Sequence, residues 1–355
     1  MSAYAIYRLP HEDHATLIRQ TEGEPVELYS LTELNGRQGF VVAPFEAKAN
    51  QPIVVIQGET ENVLFGKRGS RKGQYSRSST NEAAVPSASC LVPPSSYYKV
   101  DFANYHSQLE NDTFRKIVLA RCVDETLGEA VDPMELFYRA CALYPRMFIA
   151  LVETEKTGCW LTATPEILLD GKGSDWRTIA LAGTMKLEGD QLNGEGETLR
   201  WSTKNIQEQR IVTTYITECL EQYTGDFREE GPKTVRAANL VHLRSDFTFK
   251  LDNQNQIGDL LNTLHPTPAV CGLPKREAFQ FIVKNEHTPR RYYSGFMGPL
   301  GAEETHLYVS LRCMNIEGKT CHLFAGGGLL KDSTEEQEWA ETEAKLETMR
   351  RLLYV

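Results

Sequence analysis

The chain predicts an α+β fold: large, mainly antiparallel β-sheets packed together and flanked by helices. Three observations predict it. Short apolar runs bounded by turn residues come in groups, with helical patterns set singly between them. A parallel sheet would need a helix after nearly every strand. The 355 residues are 41% hydrophobic and 24% charged, which suits a chain that buries a core without disulfide or metal staples.

The elements follow in order. Residues 1–67 alternate short apolar runs with polar turns, as in Gly39-Phe-Val-Val-Ala43 and Pro52-Ile-Val-Val-Ile56, and read as strands. Residues 68–96 are basic, then Ser- and Pro-rich, and read as a loop or linker. A helix is expected over 101–110 with Asp101 as N-cap, then a strand over 116–126. Asp132-Pro133 is a cap followed by proline in the first turn, opening a helix to about Leu143. Strands are expected near 147–153, 159–163, 166–170 and 177–182. A long helix follows over 203–223, a strand over 240–251 and a helix over 274–285. A hairpin is expected from 306–316 and 320–325 about Glu317-Gly318-Lys319, and a last helix over 332–353. One domain over 1–355 is expected, with 1–95 adding strands and 98–355 forming the catalytic part.

Charge narrows the function. Lys plus Arg total 38 and Asp plus Glu 48, a net charge of −10. That balance argues against nucleic acid and anionic membranes as partners. It permits an anionic small molecule, because a metal or a few local cations can reverse the field inside a pocket. The eight cysteines form no CxxC pair and read as reduced core residues. No basic segment leads into an apolar run, and no 18-residue apolar stretch occurs, so a cytoplasmic protein is expected.

Candidate chemistry gathers in six segments. Glu338, Glu341 and Lys345 stand at i, i+3 and i+7, on one helical face. That pattern suits a carboxylate pair holding a hard divalent cation beside a lysine for an anion, and equally a solvated Glu–Lys face. Upstream, Ala325-Gly-Gly-Gly-Leu-Leu330 directly follows a strand and allows close backbone approach to a ligand, or a plain turn. Glu208 borders an apolar stripe of Val212, Tyr215 and Cys219, where a carboxylate needs a partner or an outlet to water. Lys116 opens a strand on the face of Val118, Ala120 and Cys122. Facing an apolar interior it would lose proton affinity and serve as a base; at a strand end it would simply reach water. Glu166 follows Ala163-Thr-Pro at a turn, and His265 sits in a loop with three prolines between 264 and 274.

In their order, these segments resemble the chorismate-utilising enzymes, the family of isochorismate, salicylate, anthranilate and aminodeoxychorismate synthases. The matching stretches are Lys116-Ile-Val-Leu-Ala-Arg121, Ala163-Thr-Pro-Glu166, Ala180-Leu-Ala-Gly-Thr184, Lys204-Asn-Ile-Gln-Glu208, residues 264–274, Tyr293-Ser-Gly295, Leu311-Arg312, Ala325-Gly-Gly-Gly328 and Glu338-Trp-Ala-Glu-Thr-Glu-Ala-Lys345. The resemblance implies Mg²⁺ on Glu208 and Glu341 with Glu338 nearby. It implies chorismate held by Gly183, Thr184, His265, Ala269, Val270, Tyr293, Arg312, Gly326, Gly328 and Lys345. Lys116 would be the base that activates water, and Glu166 the acid that protonates the leaving hydroxyl.

The branch with lysine at the position of Lys116 adds water rather than ammonia. Ala182 stands where aminodeoxychorismate synthases carry a nucleophilic lysine, and the His265-Pro-Thr-Pro-Ala-Val270 loop is similar to isochorismate synthases. The resemblance therefore implies a monomeric isochorismate synthase of menaquinone or siderophore biosynthesis, without a glutamine amidotransferase subunit. A salicylate synthase is the alternative enzyme, and a non-catalytic binding protein of the same fold the alternative class. Asn205 and Gln209 depart from the family pattern beside Glu208, Gly327 replaces an alanine, and Cys271 a small residue.

Overall fold

The computed structural model describes residues 3–65, 95–187, 199–237, 240–251 and 256–354. The expected linker lies almost wholly outside them, as does Cys90. The described strands form two nine-stranded sheets, and every pairing is antiparallel. The first sheet runs Gly272–Leu273 (β14), Lys116–Thr126 (β7), Thr320–Leu329 (β18), Cys313–Glu317 (β17), Gly158–Thr164 (β9), Phe148–Thr154 (β8), Ala3–Arg8 (β1), His14–Gln20 (β2) and Glu59–Leu64 (β6). The second runs Phe227–Ala237 (β12), Leu240–Lys250 (β13), Asp175–Lys186 (β11), Ile167–Lys172 (β10), Glu304–Val309 (β16), Phe296–Leu300 (β15), Gly39–Ala43 (β4), Ile53–Ile56 (β5) and Val26–Leu28 (β3). The N-terminal strands enter both sheets: β1 lies between β8 and β2, and β4 pairs with β15.

The inner faces meet in a core of Phe40, Val42, Val54, Phe148, Val152, Trp160, Ile179 and Leu181 among others. Phe148 from one sheet stacks on Tyr308 from the other at 4.3 Å. Helices cover the outer faces. Pro133–Leu143 (α2) and Glu335–Leu353 (α6) bury Phe137, Leu346 and Met349 against the first sheet. Thr203–Leu220 (α3) and Ile257–Leu264 (α4) bury Ile216, Leu220 and Leu260 against the second. Ser96–Glu110 (α1) and Lys275–Asn285 (α5) close one edge around Tyr105, Ile117 and Ile282. This is the packed-sheet α+β architecture expected from the sequence. The seven described cysteines are free thiols, and no helix among the described residues is long and apolar enough to cross a membrane.

Some boundaries differ from expectation, each for a local reason. Asp132 caps α2 as expected, its Oδ1 accepting from the Met134 amide at 2.9 Å, with Pro133 in the first turn. Asp101 does not cap α1. Ser95 does, accepting from the Tyr98 amide at 3.2 Å, and the helix starts five residues earlier. Asp101 is buried and instead accepts from the His287 amide. The expected strand over 306–316 is two strands in different sheets, β16 and β17, with Arg312 between them at φ +46°. The glycine run does not follow a strand; Gly326–Gly328 lie inside β18, paired with Val118–Ala120 of β7.

A buried ion pair ties these parts together. Arg290 donates to both oxygens of Glu286, at 2.6 and 2.7 Å, and to the carbonyls of Val118 (2.8 Å) and Val270 (2.7 Å). Glu286 also accepts from the Ala120 amide at 2.8 Å. Both side chains are almost wholly buried. Removing one partner of such a pair strands the other charge, at a cost of about 3–5 kcal/mol. Arg290→Ala is expected to lose about that much stability, measured as a lowered urea midpoint.

Candidate active site

Two of the chain's crossings between the sheets are neighbours, and the candidate site forms there. The first crossing is β9 to β10, through Pro165 and Glu166; the second is β16 to β17, through Leu311 and Arg312. The two are stitched together: the Val309 amide donates to the Glu166 carbonyl at 3.0 Å, and the Ala163 amide to the Arg312 carbonyl at 3.0 Å. A narrow cavity of about 60 Å³ opens beside them.

Ten of the predicted residues line this cavity: Glu166, Gly183, Thr184, Glu208, Ala269, Val270, Tyr293, Arg312, Gly326 and Lys345. Lys116 and Gly328 stand behind that wall against Glu208, Glu341 stands against Lys345, and Glu338 pairs with Lys204. His265 is elsewhere. It is buried edge-on against Phe296, 5.1 Å between ring centres, with neither ring nitrogen hydrogen-bonded. Burial, with Lys275, lowers its pKa to about 3. Its neutral ring supports the proline-rich loop from beneath, while Ala269 and Val270 carry that loop to the cavity.

Lys116 is fully buried, but it does not face an apolar interior as the strand pattern suggested. Its Nζ lies 2.9 Å from Glu208 Oε1, an ion pair without good hydrogen-bond alignment. Burial opposes ionisation of Glu208. Lys116, Lys204 and Lys345 outweigh it and hold the carboxyl below its ordinary range. Glu166 has the opposite balance. Burial raises its pKa to about 7, and the partial offset from Lys116, Arg312 and Lys345 does not cancel that.

The acidic face of α6 meets the same region. Lys345 donates to Glu341 and to the Gly326 carbonyl, both at 2.7 Å. Lys204 pairs with Glu338. The second oxygen of Glu338 is buried without a hydrogen-bond partner. Burial and the neighbouring Glu341 raise the Glu338 pKa to about 7. Glycines make the room. A Cβ on Gly327 would lie 2.8 Å from Glu338 Oε2, and one on Gly328 would overlap Glu208 Oε1. An orphaned carboxylate oxygen, a strip of strand without side chains and three acidic groups in one field suit a hard divalent cation.

Three contributors escaped the sequence reading. His242 lines the cavity; its Nδ1 lies 3.1 Å from the Gly183 carbonyl and its Nε2 3.0 Å from Arg312 Nη2. Donation from Nδ1 to the carbonyl leaves Nε2 to accept from the guanidinium. Burial, then Arg312 and Lys345, lowers the His242 pKa well below normal, so it serves as a neutral acceptor. Arg312 keeps Nη1 buried and unpartnered, a donor free for an anion. The signal for His242 was its place on a strand of alternating hydrophobics. Lys204 lies one helical turn before Glu208 on α3. Gln209, read as a departure, accepts from the Ala182 amide at 2.9 Å and donates to the Ala180 carbonyl at 3.1 Å. It thereby braces the register shift between Ala182 and Thr184 that holds Gly183 out of the ladder.

The chain is similar to known proteins in sequence and in fold. The chorismate binding enzyme family model matches residues 35–354. Isochorismate synthase EntC of Escherichia coli K12 is 32% identical over 238 residues, 66% of this chain and 61% of that protein. Isochorismate synthase MenF of the same strain is 31% identical over 240 residues, 67% of this chain and 56% of its own length. The matched region thus spans about three fifths of these relatives. The solved structure of E. coli MenF, a menaquinone-specific isochorismate synthase, superposes with a TM-score of 0.79 at 22% identity, covering 99% of this chain and 88% of that one. By its sequence, the chain belongs to the chorismate binding enzyme family.

Proposed function

We propose that this chain is an isochorismate synthase: it interconverts chorismate and isochorismate, with Mg²⁺ as cofactor. One observation carries the reading. Two buried carboxylates line one cavity and are driven apart, Glu166 towards the acid and Glu208 towards the carboxylate. Such a divergence is how a site assigns acid and ligand roles to the same residue type.

The steps balance without a covalent intermediate. Lys116 takes a proton as water adds to ring C2. Glu166 gives its proton to the C4 hydroxyl, which leaves as water while the ring double bonds shift. One water enters, one leaves, and solvent resets both groups. Arg312, oriented by His242, and Lys345 bind the substrate carboxylates. Tyr293, Ala269 and Val270 form the cavity wall around the ring, with the backbone at Gly183, Thr184 and Gly326 alongside. Glu208, Glu338 and Glu341 would hold Mg²⁺, which when bound neutralises and orients a substrate carboxylate. Exchange of the Lys204 and Lys116 ammonium groups for the cation would leave those carboxylates paired.

We read residues 1–355 as one catalytic unit, supported by the N-terminal strands within both sheets. The reading needs no amidotransferase subunit, because water rather than ammonia is the nucleophile; the chain is taken to act as a monomer. The test is product analysis. Purified chain with chorismate and Mg²⁺ is expected to accumulate isochorismate without pyruvate, and to stop when EDTA is added. Stoichiometric pyruvate with salicylate would make it a salicylate synthase, and no turnover would make it a binding protein.

A further inference from the structure

A second cluster of metal-ligand side chains lies on the β7–β18 strand pair, away from the carboxylates of the cavity. Antiparallel register sets His322 directly opposite Asp124. Cys122, two residues before Asp124, points to the same face of the sheet. His322 Nδ1 lies 2.7 Å from Asp124 Oδ1, and Cys122 Sγ lies 3.9 Å from that same oxygen. A ligand atom from each of the three falls within 4.8 Å of the others. Around a tetrahedral zinc ion, with bonds of roughly 2.0–2.3 Å, neighbouring ligand atoms sit about 3.3–3.7 Å apart. Against that spacing the Cys122–Asp124 separation of 3.9 Å is slightly long, the His322–Asp124 contact of 2.7 Å must open, and all three ligand atoms already lie within 4.8 Å of one another.

The remaining features suit the same ion. The other ring nitrogen of His322 lies 3.7 Å from Glu317 Oε2, and Arg291 donates to Glu317 Oε1 at 3.2 Å. A carboxylate behind the second nitrogen is the usual support for a metal-bound imidazole. Asp124 is largely exposed and His322 partly so, which leaves a path from solvent and a fourth position for water. Sulfur and nitrogen donors select zinc and its neighbours, whereas an all-carboxylate set selects magnesium. The two clusters therefore do not compete for one ion. They are also apart: His322 is four residues along β18 from Gly326 at the cavity wall, about 13 Å at roughly 3.3 Å per strand residue.

We propose that Cys122, Asp124 and His322 form a zinc site on the outer stretch of the β7–β18 ladder, distinct from the candidate active site. Without a cation, burial and Asp124 push the Cys122 thiol up to about 12. Binding therefore transfers one thiol proton to the buffer as the sulfur–metal bond forms. Zinc would cross-link the two strands whose far ends carry Lys116 and Gly328.

Co²⁺ is the probe, added to the full chain after chelator treatment and with excess Mg²⁺ to fill the carboxylates. One equivalent is expected to bind, with a cysteinate-to-cobalt charge-transfer band and the intense visible bands of tetrahedral cobalt; Zn²⁺ displaces it and Mg²⁺ does not. Cys122→Ser is expected to abolish the charge-transfer band, and His322→Ala to weaken binding at least about 10-fold. Glu338→Gln is expected to leave the band unchanged. Cobalt binding without that band overturns the proposal. So does a band that survives Cys122→Ser, or one that disappears with Glu338→Gln.

Discussion

Glu166→Gln is expected to lower kcat by about 10²–10⁴-fold, the usual contribution of a positioned general acid, with a much smaller change in KM. The amide keeps the shape of the protonated carboxyl but has no acidic proton to give. The pH profile separates this from a packing defect. The acid must be protonated to work, and burial sets its pKa to about 7, so wild-type kcat should fall as pH rises through about 7. That limb should vanish in the variant. The stability effect has the opposite sense. A carboxyl whose folded pKa lies above its unfolded one binds its proton more tightly when folded. Its stabilisation is complete below the unfolded pKa and is lost as pH rises through about 7. Glutamine mimics the neutral form, so above pH 7 the variant should be at least as stable as wild type. A variant that keeps wild-type turnover, or a slow one that keeps the high-pH limb, would remove Glu166 from the acid role.

Local signals in the sequence read well where one residue decides an element. Asp132-Pro133 opened α2 as expected because a capping carboxylate and a proline act on their own backbone. Asp101 misled because Ser95, six residues earlier, caps the helix, and the buried aspartate accepts from the His287 amide instead. The split of 306–316 was invisible locally: the apolar run continues through Leu311, and only the positive φ at Arg312 turns the chain into the other sheet. The polar strand β12 was missed for a related reason. Its residues are mostly exposed, since it forms a sheet edge, so it shows no apolar alternation.

The site was legible through its order of motifs more than through spacing. Residues from ten separate segments line one cavity, and no periodicity reports such a meeting. Spacing did place Glu338, Glu341 and Lys345 on one helical face. It could not show that Lys204, from another helix, would pair with Glu338. Nor could it show that Glu208 would sit against Lys116, because α3 and β7 are nearly ninety residues apart in sequence. His265 illustrates the converse: a constrained loop marked the region, but the cavity is touched by Ala269 and Val270 while the histidine packs behind them.

The Lys116–Glu208 pair carries the second large prediction, because it joins the proposed base to a proposed metal ligand. Lys116→Met is expected to lower kcat by about 10²–10⁴-fold, as removal of a general base should. It should also cost stability in the absence of metal. Glu208 is left as a buried carboxylate without its nearest cation, and breaking such pairs costs about 3–5 kcal/mol. Lys204 and Lys345 remain to share that charge, so the lower end of the range is expected. Mg²⁺ should then act differently on the two losses. A cation on Glu208, Glu338 and Glu341 replaces the missing ammonium, so the urea midpoint of the variant should recover with added Mg²⁺ more than that of wild type. Turnover should not recover, because a cation in that position neutralises the carboxylate without accepting the proton from water. Stability that ignores Mg²⁺ would take Glu208 out of the metal site. Turnover that survives in Lys116→Met would take the lysine out of the chemistry and leave it as the counter-ion of Glu208.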